Sequence, residues 1–268
     1  MVGNTKNENT MTTLIHCYKH DRGYFDFVSS TLRLAELYPQ HEVTWAVPST
    51  RILSSVLSTP QTELYRDRLD CTFHSFYARG CMENRRGFEE FSAKLEQIKK
   101  PYVYCDFRHG CNNEISEKYR VMLEFKPDIA LKTLEEIRSR FGDKYSVLHV
   151  RTGDDELCHG KKIVLDRWVD AIQDYLAGVT LSTVLVCDCV SLKERMAGQL
   201  LCTSGTPYHS SNKGGNIAAF VFDVLTIQNA QSIHSMMSNP WGGSAFSRIP
   251  AAFAKIPYTH RNLPVKLS

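Results

Sequence analysis

The chain has 268 residues, a formal net charge of +3, and 43% hydrophobic against 23% charged residues. This length exceeds the usual single hydrophobic core, so one large or two smaller domains are expected, and the composition excludes a disordered chain. The mild charge excludes a dedicated nucleic-acid binder, and the lack of any run of about 18 apolar residues excludes a membrane-spanning helix.

Residues 1–10 are polar, without the apolar centre of a secretory signal, which sets the expectation of a cytoplasmic protein. Residues 12–17 (TTLIHC) read as a first strand, 24–37 as an amphipathic helix, and 42–47 (EVTWAV) as a second strand. Pro48-Ser49-Thr50 offers an N-cap to a following helix. The aromatic and β-branched runs 71–78 and 102–107 read as strands, with a charged helix around 88–100 between them. A long helix over 128–141, opened by Pro127, leads into a second half. There the strands are 145–150, 183–188 and 232–237, and the helices are 164–176, one capped by Ser191, 217–230 and 246–254. Strands separated by helices predict parallel sheets with right-handed crossovers, and two such halves predict a ligand cleft near the carboxyl ends of the strands.

Nine cysteines, an odd number, form no CxxC pair, so no structural zinc is expected and free thiols in a reducing compartment are the simpler account. The densest polar cluster is His149-Val150-Arg151-Thr152-Gly153-Asp154-Asp155-Glu156, at the carboxyl end of the most strongly patterned strand. An arginine there grips a phosphate through two parallel hydrogen bonds, and Gly153 allows a close backbone approach. A solvated acidic turn after a core strand, with His149 simply packed, accounts for the same residues. The second cluster, Asn239 to Arg248 (NPWGGSAFSR), turns through Gly-Gly-Ser into a helix whose free N–H groups favour an anion; an ordinary cap at Ser244 is the plainer alternative. No GxxxxGK(S/T) is present, which excludes a P-loop.

Taken in order, HVRTGDD (149–155), VLVCDCVSLKERM (184–196) and NIAAFVFDVLTIQNAQSIHSMMSNPWGGSAFSRIPAAF (216–253) resemble the motifs of the α-1,2, α-1,6 and protein O-fucosyltransferase superfamily. The first matches its H-x-R-x-(G/T)-D element. The resemblance implies an α/β, GT-B-like glycosyltransferase of two Rossmann-like domains facing a central cleft. Residues 1–125 would be the acceptor-side domain and 126–268 the nucleotide-sugar-binding domain. It implies that Arg151 binds the donor β-phosphate and that His149 and Asp223 lie around the nucleotide, with Gly153 counted among the donor-binding residues. Asp223 would read the guanine edge, Asp188 would shape the pocket wall, and Ser244, Phe246 and Ser247 would form the phosphate-binding turn.

These enzymes resemble one another in working without a metal or other cofactor, a nucleotide sugar being the substrate and a glycan or other hydroxyl the acceptor. GDP-fucose is the favoured donor. The stretch 19–26 (KHDRGYFD) lacks the family's G-x-x-N element, and Thr152 stands where many relatives carry a second Arg. UDP-xylose on the same scaffold, or a non-catalytic nucleotide-sugar-binding protein, is therefore the alternative. A missing signal anchor implies a bacterial or virus-encoded cytosolic enzyme. The acceptor proton needs a carboxylate base, for which Asp21 is favoured over Asp26, Asp155 and Glu156.

Overall fold

The computed structural model describes residues 12–18, 23–47, 52–58, 68–74, 85–108, 117–152, 162–203, 216–237 and 244–263. They group into two compact units. The described residues up to Arg108 form the first, apart from 23–25 and 55–58, which group with the residues from Glu117 onward.

The first unit is a four-stranded parallel sheet, ordered β2-β1-β4-β3, of β1 (Thr13–Cys17), β2 (Glu42–Ala46), β3 (Cys71–His74) and β4 (Tyr102–Arg108). Most residues of the central β1 and β4 are buried, as expected of parallel strands covered on both faces. Their helices are α1 (Tyr24–Leu37) and α2 (Arg85–Gln97). The register pairs Phe73 with Phe107, whose rings stack at 5.0 Å, and Phe91 of α2 closes on both at 5.9 and 5.5 Å. Two expectations need correction. The helix foreseen after Pro48-Ser49-Thr50 is a single 3-10 turn, Ile52–Ser55, too short to develop an amphipathic face. The helix foreseen over 88–100 runs from Arg85 to Gln97. The foreseen strand 71–78 is described only as far as His74.

The second unit contains α3 (Glu117–Arg120), α4 (Pro127–Phe141), β5 (Ser146–Arg151), α5 (Lys162–Leu176), β6 (Thr183–Cys187), α6 (Val190–Met196), β7 (Leu201–Cys202), α7 (Ile217–Gln228), β8 (Ser232–Met237), α8 (Ala245–Ala254) and β9 (Tyr258–Asn262). The strands form one parallel sheet ordered β7-β6-β5-β8-β9. After β5 the chain winds outward to β6 and β7, then returns to the other side of β5 for β8 and β9. The switch point therefore lies between β5 and β8, and in open α/β sheets ligands bind at the carboxyl ends beside it.

Alternate residues of β5 face opposite sides of this sheet. Leu148 and Val150 enter one core with Trp168, Ile172, Leu185, Leu192, Met196 and Met236. Trp168 is 1% exposed, and its burial alone contributes about 5 kcal/mol by apolar area. His149 and Arg151 share the other face.

Local signals explain most boundaries. Pro127 starts α4 at its first turn, and Gly142, at φ 76°, ends it in the left-handed region. Asn216 caps α7, its side chain accepting from the Ala218 N–H at 3.0 Å. α6, by contrast, begins at Val190 with Cys189 in the cap position, so Ser191 lies inside the first turn rather than capping the helix.

Candidate functional site

The β5–β6 register pairs Val150 with Cys187, and continuing it one residue brings Arg151 beside Asp188 just past the end of β6. Asp188 uses its two oxygens separately. Oδ1 accepts from the Thr152 backbone N–H at 2.9 Å and from the Thr152 hydroxyl at 3.0 Å, while Oδ2 faces the Arg151 guanidinium at 3.1 Å. The arginine is 30% exposed and the aspartate 14%, so the carboxylate is mostly enclosed while the guanidinium keeps a surface for a ligand. The short turn behind it is fixed by the Cys189 N–H, which donates to Cys187 Sγ at 3.2 Å.

On the other side of β5 the register pairs His149 with Ser235. Their side chains share a face, and His149 Nδ1 lies 3.3 Å from Ser235 Oγ. The imidazole stacks on Phe246 at 5.7 Å, and Phe246 in turn meets Phe25 at 5.4 Å and Phe220 at 6.1 Å. Burial, with Arg151 and Lys193 adding positive charge nearby, lowers the His149 pKa to about 3, so the ring is neutral at physiological pH.

His149, Asp188, Asp223 and Phe246 line one cavity of about 30 Å³ together with Cys187 and Phe220. Asp223, on α7, is 4% exposed, and its Oδ1 accepts no hydrogen bond among the described residues. Burial raises its pKa to about 6, against the opposing pull of Lys193 and a hydrogen bond from Thr203. A buried carboxylate with one unsatisfied oxygen is a costly feature that a bound donor group would relieve.

Ser244 and Ser247 flank Phe246 at the start of α8. Ser244 is the N-cap residue with no side-chain cap bond. Ser247 is fully buried, its hydroxyl 3.4 Å from the Ser244 carbonyl and 3.5 Å from the Tyr258 hydroxyl. Pro250, four residues beyond Phe246, removes the N–H that would bond the Phe246 carbonyl within the helix. Asp21, Gly153, Asp155 and Glu156 lie outside the described residues; Asp26 is exposed on α1.

Sequence reasoning missed Lys193, 7% exposed on α6 between Leu192 and Met196. It also missed the aromatic support from Phe25 and Phe220. The available signal for Lys193 was a lone cation on the helix stripe that otherwise reads as core. Trp45 and Trp168 are core residues, and Trp241 lies outside the described residues. Among the described residues no group of His, Cys, Asp and Glu could hold a metal ion, and no helix is long and apolar enough to cross a membrane.

No protein-family model and no curated protein matches the chain. Solved structures do. Fucosyltransferase NodZ from Bradyrhizobium superposes with a TM-score of 0.56 at 13% identity, over 90% of this chain and 91% of that one. NodZ alpha-1,6-fucosyltransferase co-crystallized with GDP gives 0.54 at 14% identity, over 91% and 92% of the two chains. The same enzyme soaked with GDP-fucose gives 0.52 at 14% identity, again over 91% and 92%. At such identities the likeness is one of fold. The chain has the α/β architecture of these fucosyltransferases, with both sheets parallel as the alternation of strands and helices predicted.

Proposed function

We propose that this chain is a glycosyltransferase that moves fucose from GDP-fucose to a hydroxyl acceptor, inverting the anomeric configuration and needing no metal. The observation that carries the reading is Arg151, held by Asp188 at the carboxyl end of β5, beside the cavity lined by Asp223. The solved structures that share the fold support it, since two of them were obtained with GDP or GDP-fucose.

Guanine offers two adjacent N–H donors on one edge, which suit the Asp223 carboxylate and its unsatisfied oxygen. Uracil offers one N–H between two carbonyls, which repel a carboxylate. In the transfer step an acceptor hydroxyl attacks the anomeric carbon as the bond from that carbon to the β-phosphate oxygen breaks. The hydroxyl proton passes to a carboxylate, with Asp21 favoured and Asp26, Asp155 and Glu156 as the alternatives. The charge that develops on the departing diphosphate is met by Arg151, with Ser244 and the free N–H groups opening α8 adding to the same field. His149, neutral and stacked on Phe246, shapes the wall without adding a competing charge.

The test is thermal unfolding with GDP, UDP, GDP-fucose and UDP-xylose, each with and without EDTA. A ligand at 100 times its Kd adds about 2.7 kcal/mol. Stabilisation by GDP and GDP-fucose alone, unchanged by EDTA and lost in Arg151→Ala, is expected. Stabilisation by UDP alone overturns the donor, and no response to any of the four overturns the reading.

A further inference from the structure

A second cavity, of about 650 Å³, opens in the first unit. Its walls include Arg68, Asp70, Lys94, Lys100, Tyr102 and Tyr104. Asp70 immediately precedes β3 and Tyr102 is the first residue of β4, so the cavity sits at the amino ends of these parallel strands. The carboxyl ends, where open α/β sheets take their usual ligands, lie at the opposite edge of the same sheet.

The charges of this cavity do not cancel. Lys100 Nζ pairs with Asp70 Oδ1 at 2.7 Å, and Asp70 Oδ2 accepts from the Tyr104 backbone N–H at 3.0 Å. Neither Arg68 nor Lys94 is in an ion pair among the described residues, and both are exposed. Three cations against one carboxylate leave two positive charges facing one concavity. Tyr102 adds an aromatic ring that is 53% exposed, unusual for so large a side chain, at the mouth of the same space.

We propose that this cavity binds an anionic saccharide, a segment of one or two sugar rings carrying two negative charges. Its volume falls in the range of ligand sites and far exceeds a lone phosphate or sulfate. The aromatic face suits the apolar side of a sugar ring. Asp70 can accept from sugar hydroxyls, and it disfavours a compact polyphosphate, which would bring charge against it without hydroxyls to compensate. Arg68 and Lys94 supply the partners for carboxylate, sulfate or phosphate groups on the ring. The inference stands independently of the transferase reading, because it concerns binding alone and uses none of the residues around Arg151.

The experiment is calorimetric titration of the full chain with a disaccharide bearing one uronate and one sulfate. Its neutral unsubstituted counterpart and inorganic sulfate serve as controls at equal ionic strength. We expect binding of one disaccharide per chain that weakens as salt is raised. The double variant Arg68→Glu/Lys94→Glu should lose about 10-fold or more in affinity, with an unaltered unfolding temperature because both side chains are exposed. Tyr102→Ala should weaken binding as well. Saturating GDP should leave it unchanged, which separates this site from the one around Arg151. Equal binding of inorganic sulfate or of the neutral sugar, unchanged binding in the double variant, or competition by GDP overturns the proposal.

Discussion

Asp188 meets Arg151 with one carboxylate oxygen, at 3.1 Å, while its other oxygen is held by Thr152. The aspartate is therefore anchored to the residue that follows β5, independently of the arginine, and can act as a fixed post for the guanidinium. Asp188→Asn keeps the size but loses the charge. We expect a 10- to 100-fold fall in kcat/KM, on the order of what a misplaced binding group costs. Arg151→Lys should cost about 10-fold, because an ammonium cannot reproduce the planar fork. Steady-state transfer of fucose from GDP-fucose to an accepting glycan checks both, and wild-type rates in Asp188→Asn would remove the aspartate from the mechanism.

His149 and Asp223 bound the same cavity and shape stability against pH in opposite directions. The folded state raises the Asp223 pKa to about 6, so it binds that proton more tightly than the unfolded chain. The associated stability is present below pH 3.8 and is lost as pH rises towards 6. The folded state lowers the His149 pKa to about 3, so its contribution is present above pH 6.5 and is lost as pH falls. Asp223→Asn removes only the first effect. Without ligand it should be about 3 kcal/mol more stable than wild type at pH 7.5, a gain that fades by about pH 4. The same variant should lose its stabilisation by GDP. Urea unfolding at the two pH values measures this, and a variant less stable than wild type at both would contradict the assigned cost of the buried carboxylate.

Phe246 joins His149 to the aromatic pair Phe25 and Phe220. Truncation to Ala removes these ring contacts and opens a void next to the imidazole. We expect a loss of about 2–3 kcal/mol, below the range for a fully buried Phe because this side chain is half-buried. The His149 pKa should recover towards 6.5 as water enters. Chemical denaturation and an NMR titration of the ring follow the two effects, and an unshifted His149 would show that Phe246 is not what keeps it dry.

Much of this architecture was legible in the sequence because parallel, buried strands write themselves as apolar runs. TLIHC, SVLHV and TVLVC all lie at interior positions of their sheets. The two outer strands of the second sheet carry no such signal. β9 (YTHRN) is largely exposed and β7 has two residues, so neither has a periodicity to find. At the site, the strand-end cluster pointed to Arg151, which closes the buried β5, whereas Asp188, just past β6, was reached only through the resemblance. That Asp188 is the partner of Arg151 depends on the β5–β6 register, which is a long-range fact absent from either motif alone. Lys193 was overlooked for a related reason. Its burial comes from packing of α6 on the sheet, whereas its neighbours in sequence mark it only as one cation in a short helix.

Lys193 offers the sharpest test of the site's electrostatics. It lies 7% exposed, and its charge opposes the rise in the Asp223 pKa while deepening the fall in that of His149. Lys193→Met keeps most of the aliphatic volume and removes the charge. The Asp223 midpoint should then climb above about 6 and the His149 midpoint above about 3. At pH 7 a larger share of Asp223 is protonated in the variant, so its GDP affinity should fall below wild type and recover as pH is raised. A loss of affinity of equal size at every pH would instead mean that the lysine acts through packing. Carboxyl and imidazole NMR titrations, paired with GDP binding at pH 6, 7 and 8.5, separate the two. Unmoved midpoints would show that Lys193 does not influence either group.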